Sequence, residues 1–194
     1  MNAVMISTFL SALFAIGLPR GSPPASGDPP PTPPSEQEVR EQVELYLGSI
    51  DTPISLERWR ALGAQAAPIL EEIATSTSEL PTRRARALEG WSAVGGPEVA
   101  TRMLQIAQSD EQPPVVRMSA MRGAGRLMTS SKLVPALRPV LEKAPDVHIR
   151  AVAAEVLARH APKTACSLVR AQLAREPASQ HGAYQRAMAS CSIP

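Results

Sequence analysis

The sequence predicts an all-α protein, and three observations support that prediction. First, 44% of the 194 residues are hydrophobic but only 3% are aromatic, so Ala, Leu, Val and Met must form most of the core. Second, the abundant Ala, Leu and Arg residues favour helices, whereas a β-sheet would need more β-branched and aromatic residues. Third, similar segments recur with a period of about 33 residues, which is typical of stacked helical units.

The first 20 residues are predicted to form a signal peptide or a membrane anchor. Residues 4–18 read VMISTFLSALFAIGL and contain no charged side chain. This run suits the apolar region of a secretory signal, whereas a membrane-spanning helix needs about 20 apolar residues. No Lys or Arg precedes the run, so an uncleaved anchor and a cytosolic protein are alternatives. The favoured interpretation is export to the periplasm, the cell envelope or the medium, with no membrane span other than such an anchor.

Residues 21–35 are predicted to form a proline-rich, disordered linker. Seven prolines fall between Gly21 and Pro34, and such a segment forms a stiff, extended spacer rather than a packed core. A ligand for a proline-binding domain is the alternative interpretation. The helical repeat domain is therefore predicted to span residues 36–194.

Two helical regions are predicted before the repeat begins. Residues 36–47 (EQEVREQVELYL) place Val39, Val43 and Tyr46 on one side of an amphipathic helix. Residues 59–73 combine Trp59 with an apolar segment around Ile69, and they indicate a short, tight helix pair.

The repeat itself predicts three helix pairs. Arg84, Arg117 and Arg150 are evenly spaced, each one period after the last. Apolar residues stand three and seven positions after each arginine, on one face of a first helix: Ala87, Ala120 and Ala153, then Trp91, Ala124 and Leu157. A second helix in each unit has a similar apolar stripe. Its three equivalent positions in the successive units are occupied by Ala100, Leu133 and Cys166, by Met103, Ala136 and Val169, and by Ala107, Val140 and Leu173.

Helix-breaking residues separate the predicted helices. Gly95-Gly96-Pro97, Thr129-Ser130-Ser131 and Ala161-Pro162 fall between the two helices of a unit, and Asp146 is a natural cap for the helix that follows it. Residues 180–189 indicate one final helix, which would cover the exposed end of the stack. The predicted architecture is a right-handed α-solenoid of about four antiparallel helix pairs with a terminal capping helix.

Residues 54–175 resemble HEAT-like repeats. The segment from Val116 to Leu127 is similar to the first-helix signature of that family, of the short class also found in phycobilin lyase subunits, and residues 149–158 form a second copy. The resemblance implies an armadillo-like helical architecture, but it does not specify an activity, because such repeats bind many unrelated partners.

The sequence shows no arrangement typical of catalysis. It lacks a metal-ligand spacing, a glycine-rich phosphate loop and a nucleophile motif. His148 and His160 are twelve residues apart, too distant on one helix to share a metal, and His181 is isolated. We therefore expect a protein that is not an enzyme, without catalytic residues, bound metal or cofactor.

The arginines of the repeat have two interpretations. In the structural one, Arg84, Arg117 and Arg150 pack along the repeat and bond carbonyls or acids of an adjoining turn. In the functional one, they form a row that binds an acidic protein partner, and Arg122 and Arg126 widen it. The formal net charge of +2 gives no reason to expect nucleic acid as a general partner.

Cys166 and Cys191 are the only cysteines. An even number of cysteines in an exported chain indicates a disulfide, which would attach the final helix to the last pair. Two free thiols are the alternative, since Cys166 occupies a predicted core position.

These features favour an exported, non-catalytic scaffold or adaptor that binds proteins. An accessory or lyase-like subunit of an enzyme or chromophore system is an alternative. A nucleic-acid-binding repeat protein is a third, and it would require a cytosolic location.

Overall fold

The computed structural model describes residues 33–49 and 52–191, and every regular element in these ranges is helical. The α-helices are α1 (Glu36–Gly48), α2 (Leu56–Ala61), α3 (Ala66–Thr75), α4 (Pro81–Val94), α5 (Pro97–Gln108), α6 (Pro114–Leu127), α7 (Ser130–Lys143), α8 (Val147–His160), α9 (Pro162–Leu173) and α10 (His181–Ala189). A single 3₁₀ turn, Ala178–Gln180, precedes α10. The all-α prediction is confirmed. The predicted leader and nearly all of the predicted linker lie outside the described residues.

The period of the sequence is visible in the positions of the helices. α4, α6 and α8 begin at Pro81, Pro114 and Val147 and end at Val94, Leu127 and His160, so both ends recur at the same interval as the arginines. Proline is the first residue of α4 and α6, where its missing N–H would have no intrahelical partner anyway. The predicted cap of α8 is present, since Asp146 accepts hydrogen bonds from the N–H groups of His148 and Ile149.

The first helices of successive units pack against one another. α2 contacts α4, α4 contacts α6, α6 contacts α8, and α8 contacts α10. Each second helix packs beside this row, as α5 does on α6 and α7 does on α8. None of the helices in the described ranges is long and apolar enough to cross a membrane.

Glycine allows the helices of the row to approach closely. A Cβ atom on Gly125 of α6 would lie 2.7 Å from Val156 Cγ1 and 2.8 Å from His160 Cδ2 of α8. A Cβ on Gly90 of α4 would lie 2.8 Å from the indole ring of Trp59, which is 2% exposed. Because real Cβ atoms do not pack at such distances, these helix contacts require glycine.

The predicted core of α7 needs a correction at one position, where Leu137 is buried and the predicted Ala136 is only half-buried. A larger correction is needed in α9. Its buried residues are Ala165, Val169 and Gln172, whereas Cys166 and Leu173 are only half-buried. The turn before α9 is the single residue Ala161, but two residues precede both α5 and α7. α9 therefore begins one residue earlier in the repeat than α5 and α7 do, and it buries Gln172 in place of the predicted Leu173.

The capping helix α10 is attached to the rest of the protein at two places. Tyr184 of α10 is fully buried, and α10 contacts both α8 and α9. The Sγ atoms of Cys166 and Cys191 lie 1.98 Å apart, at disulfide distance, as the cysteine count predicts. Cys191 comes two residues after the end of α10, so the bridge joins the end of the cap to α9.

Candidate interaction surface

Two of the arginines predicted as binding residues donate hydrogen bonds to the carboxyl-terminal ends of neighbouring helices. Arg84 donates from Nε to the carbonyl oxygen of Ala74 at 3.0 Å, and Arg117 donates from Nε to that of Ala107 at 3.1 Å. Both acceptors lie in the last turn of the preceding second helix, where carbonyl groups have no intrahelical partner. The same arginine position therefore joins each unit to the one before it.

Each of these arginines also makes a second side-chain contact within the fold. Arg84 Nη2 lies 2.6 Å from Gln112 Oε1, and Arg117 Nη1 lies 2.7 Å from Asp110 Oδ1. Arg84 is 5% exposed and Arg117 is 7% exposed. These contacts support the structural interpretation of the two arginines; their binding of an acidic partner stays a prediction.

Arg150 occupies the same position in the last unit, but its main partner is a buried carboxylate. Its Nη1 donates to the carbonyl of Ala144 at 2.7 Å, while Nε and Nη2 each lie 2.6 Å from one of the two carboxylate oxygens of Glu176. Gln172 and Tyr184 also donate to Glu176, whose side chain is fully buried. The cluster thus connects α8, α9 and α10.

Charge and burial shift the ionisation of this cluster. The hydrogen bonds from Arg150, together with those from Gln172 and Tyr184, lower the pKa of Glu176 to about 2 against the opposing effect of its burial. Burial and the nearby Glu176 raise the pKa of Tyr184. The carboxylate is therefore ionised, and the phenol neutral, throughout the ordinary pH range.

Arg122 and Arg126 lie on the opposite, accessible side of α6. Arg122 Nη2 is 3.2 Å from Glu155 Oε2 on α8. Arg126 donates from Nε and Nη2 to Ser92 Oγ at 3.1 and 2.6 Å. Burial lowers the pKa of Arg126, and so do the positive charges of neighbouring arginines, while Glu89 opposes them. Within the described residues, Arg126 has no ion-pair partner.

A groove of about 750 Å³ crosses α6, α8 and α10 beside these arginines. Its floor consists of small apolar side chains from α8 and α10, namely Ala151, Val152, Ala183 and Ala187. Its rim is basic and contains Arg122, Arg159 and Arg186. We call this feature the α6–α8–α10 groove.

The groove concentrates positive charge on one surface. Among the described residues that line it, three arginines are opposed by one glutamate, Glu155, which leaves a formal charge of +2. The groove is therefore a basic surface.

Sequence reasoning identified Arg122 and Arg126 but missed Arg159 and Arg186. Arg159 follows Arg126 by one period of the repeat and occupies the last turn of α8, as Arg126 does in α6. That spacing could have revealed it. Arg186 has no equivalent at this interval, because α10 belongs to the cap, so only the structure places it at the groove.

The histidines are dispersed as the sequence predicts. His148 lines the groove, His160 packs beside Gly125, and the Nε2 atom of His181 lies 3.0 Å from the carbonyl oxygen of Glu176. No group of His, Cys, Asp or Glu side chains in residues 33–49 and 52–191 is suited to hold a metal ion. The groove thus offers charge and apolar surface as its means of recognition.

Comparisons of the chain with protein-family models, with curated proteins and with solved structures found no match.

Proposed function

We propose that this protein is an exported, non-catalytic scaffold or adaptor that binds another protein in the α6–α8–α10 groove. The domain is a right-handed α-solenoid of HEAT-like repeats, with about four antiparallel helix pairs and α10 as its cap. The regular starts of α4, α6 and α8, and the serial packing of these helices, support this architecture.

The observation on which the proposal depends is the composition of the groove. Apolar residues form its floor and charged residues form its rim, a distribution typical of protein interfaces. A surface contributed by three consecutive helices of a row suits an extended partner, because stacked repeats recognise partners over several units.

The pair of cysteines supports export. Disulfides form and persist in oxidising compartments such as the periplasm and the extracellular space, and the Sγ atoms of Cys166 and Cys191 are within disulfide distance. The intact mass of the unreduced protein from its own host, with fractionation of the cells, tests both points. We expect a protein lighter by two hydrogens outside the cytoplasm; a reduced protein in the cytosol would contradict export.

Site-specific photocrosslinking tests the groove. A photoreactive residue at Ala183, which lines the groove, should give a covalent adduct with one partner protein when the full chain is expressed in its host. The same residue at Lys132, an exposed position of α7, serves as the control. Adducts that form equally from both positions, or from neither, would contradict the proposed binding site.

A further inference from the structure

We propose that the α6–α8–α10 groove binds an acidic polypeptide segment, whose carboxylates pair with Arg122, Arg159 and Arg186 while its apolar side chains pack on α8 and α10. This inference rests on the proposed function and adds the chemistry of the partner. It depends on the donors that remain available at the rim, on the floor of the groove and on the poor fit of a nucleic acid.

Arg186 is the most available cation of the rim. It is exposed, and within the described residues it has no ion-pair partner. Its Nη1 atom lies 3.6 Å from the place that a Cβ of Gly182 would occupy, so the side chain extends back along α10 beside the groove. A partner carboxylate would therefore meet a guanidinium group with unused donors.

Arg122 and Arg159 are paired, but they share one carboxylate. Glu155 Oε2 lies 3.2 Å from Arg122 Nη2, and Glu155 Oε1 lies 3.6 Å from Arg159 Nη2. The side chain of Arg159 is 62% exposed. Since a guanidinium group has five N–H donors, both arginines keep donors for additional carboxylates, and Glu155 holds them in position at the rim.

Arg126 extends the basic surface beyond the groove along α6. Its guanidinium group is half-buried, bonds only the uncharged Ser92 Oγ among the described residues, and lies near Arg122 and Arg159. Glu89 also lies near Arg126, but several arginines oppose its effect, so an incoming anion would stabilise this half-buried cation. The surface that accepts acidic side chains is therefore longer than the groove.

The floor indicates a polypeptide rather than a free anion. Ala151, Val152 and Ala187 are between 4% and 9% exposed, and their small size leaves the cavity above them open. Apolar side chains of a partner would fill this space against the partly exposed Ala183, and the water that they displace from the cavity provides the non-directional part of the binding energy.

The lining of the groove disfavours a nucleic acid. None of the described residues that line it is Phe, Tyr or Trp, whereas proteins that bind single strands stack bases on such side chains. A partner with discrete carboxylates between apolar residues fits this pattern better than a continuous phosphate backbone.

Charge reversal with defined peptides tests the proposal on the full chain. The probes are a fluorescein-labelled peptide of Glu, Ala and Val, the same peptide with every Glu replaced by Lys, and a labelled single-stranded oligothymidine. The variant Arg159→Glu/Arg186→Glu is compared with the matched control Lys132→Glu/Arg170→Glu, which makes the same change in net charge at exposed positions of α7 and α9.

We expect the acidic peptide to bind the native protein and the control, and to bind the Arg159→Glu/Arg186→Glu variant about tenfold more weakly or worse, because close charge pairs couple strongly at interfaces. The Lys peptide should bind that variant better than it binds the native protein. Equal weakening by both double variants would show a general charge effect and would overturn the proposal. Tighter binding of the oligothymidine that depends on Arg159 and Arg186 would overturn it as well.

The peptide titration and the Ala183 crosslinking together separate this inference from the proposed function. If Ala183 crosslinks to a partner but the segment captured is not acidic, the protein-binding function stands and the acidic chemistry is wrong. If Ala183 gives no specific adduct and the acidic peptide does not bind, both are wrong.

Discussion

Two sets of arginines on the same row of helices differ in almost every physical respect. Arg84 and Arg117 lie near the amino ends of α4 and α6, almost fully buried, with carbonyl groups as acceptors. Arg159 and Arg186 lie in the last turns of α8 and α10, exposed and with at most one distant carboxylate. Residue type alone does not distinguish these sets, and neither does the row of helices on which they occur.

The difference lies in what each arginine would leave behind if it were removed. A buried arginine donates hydrogen bonds to carbonyl oxygens that water cannot reach. If it is removed, those oxygens stay buried without a donor, which lowers the free energy of unfolding. An exposed arginine is replaced by water at little cost. We therefore expect the buried set, together with Arg150 at the equivalent position of α8, to determine stability and the exposed set to determine binding, and four measurements test this division.

The largest effect is expected for Arg150→Met. It leaves the fully buried carboxylate of Glu176 without its charged partner, and breaking a buried pair in this way costs about 3–5 kcal/mol. Chemical denaturation measures the change in free energy of unfolding. The control is Arg138→Met, whose pair with Glu142 on α7 is 55% exposed at the arginine; similar losses for both variants would contradict the assignment.

A pH dependence of stability is expected from Glu176. Its pKa of about 2 in the folded protein lies below the ordinary value of 4.5, so it stabilises the fold fully above about pH 4.5 and loses this contribution as the pH falls towards 2. The difference corresponds to about 3 kcal/mol. Between pH 6 and pH 2 the free energy of unfolding should fall less steeply for Glu176→Gln than for the native protein. Identical slopes for the two proteins would show that Glu176 is not the source of the pH dependence.

A smaller loss is expected for Arg117→Met. The substitution leaves the Ala107 carbonyl without its donor, but Asp110 is mostly exposed and returns to water. We expect a loss of about 1–3 kcal/mol in the free energy of unfolding. Arg102→Met, which removes an exposed arginine 3.7 Å from Glu71, should change it by less than about 0.5 kcal/mol. Equal values would erase the distinction between buried and exposed arginines.

The smallest effect on stability is expected for Arg159→Gln. Its contact with Glu155 is long and solvent-exposed, so we expect a change of less than about 0.5 kcal/mol. Circular dichroism and denaturation should match the native protein, while affinity for the acidic peptide falls. A variant that unfolds more readily without losing affinity would place Arg159 in the structural set.

The sequence was sufficient to predict the helices where local patterns and tertiary packing agree. Both ends of α4, α6 and α8 follow the regular spacing of the repeat, because apolar stripes, prolines at helix starts and Asp146 all specify the same boundaries. α7 was less predictable in detail. Pro135 and Pro139 lie inside it, although proline normally interrupts a helix, and packing of its buried leucines on α8 outweighs that cost.

The candidate surface was only partly predictable for a different reason. Arg122 and Arg126 lie on the first helix of a repeat unit, but Arg186 and the small residues of α10 reach the groove only because the cap folds onto α8. Likewise, Glu176 follows α9 in an irregular segment, and no periodicity connects it to Arg150. Contacts made by non-repeating segments depend on tertiary structure, which a repeat pattern does not encode.

The position of Cys166 has a consequence for how the row of units ends. Its equivalents in the inner units, Ala100 and Leu133, are buried in the core, whereas Cys166 is half-buried. Its sulfur therefore meets Cys191 and attaches the cap to α9. A position that belongs to the core in the inner units thus becomes a covalent attachment point in the last one.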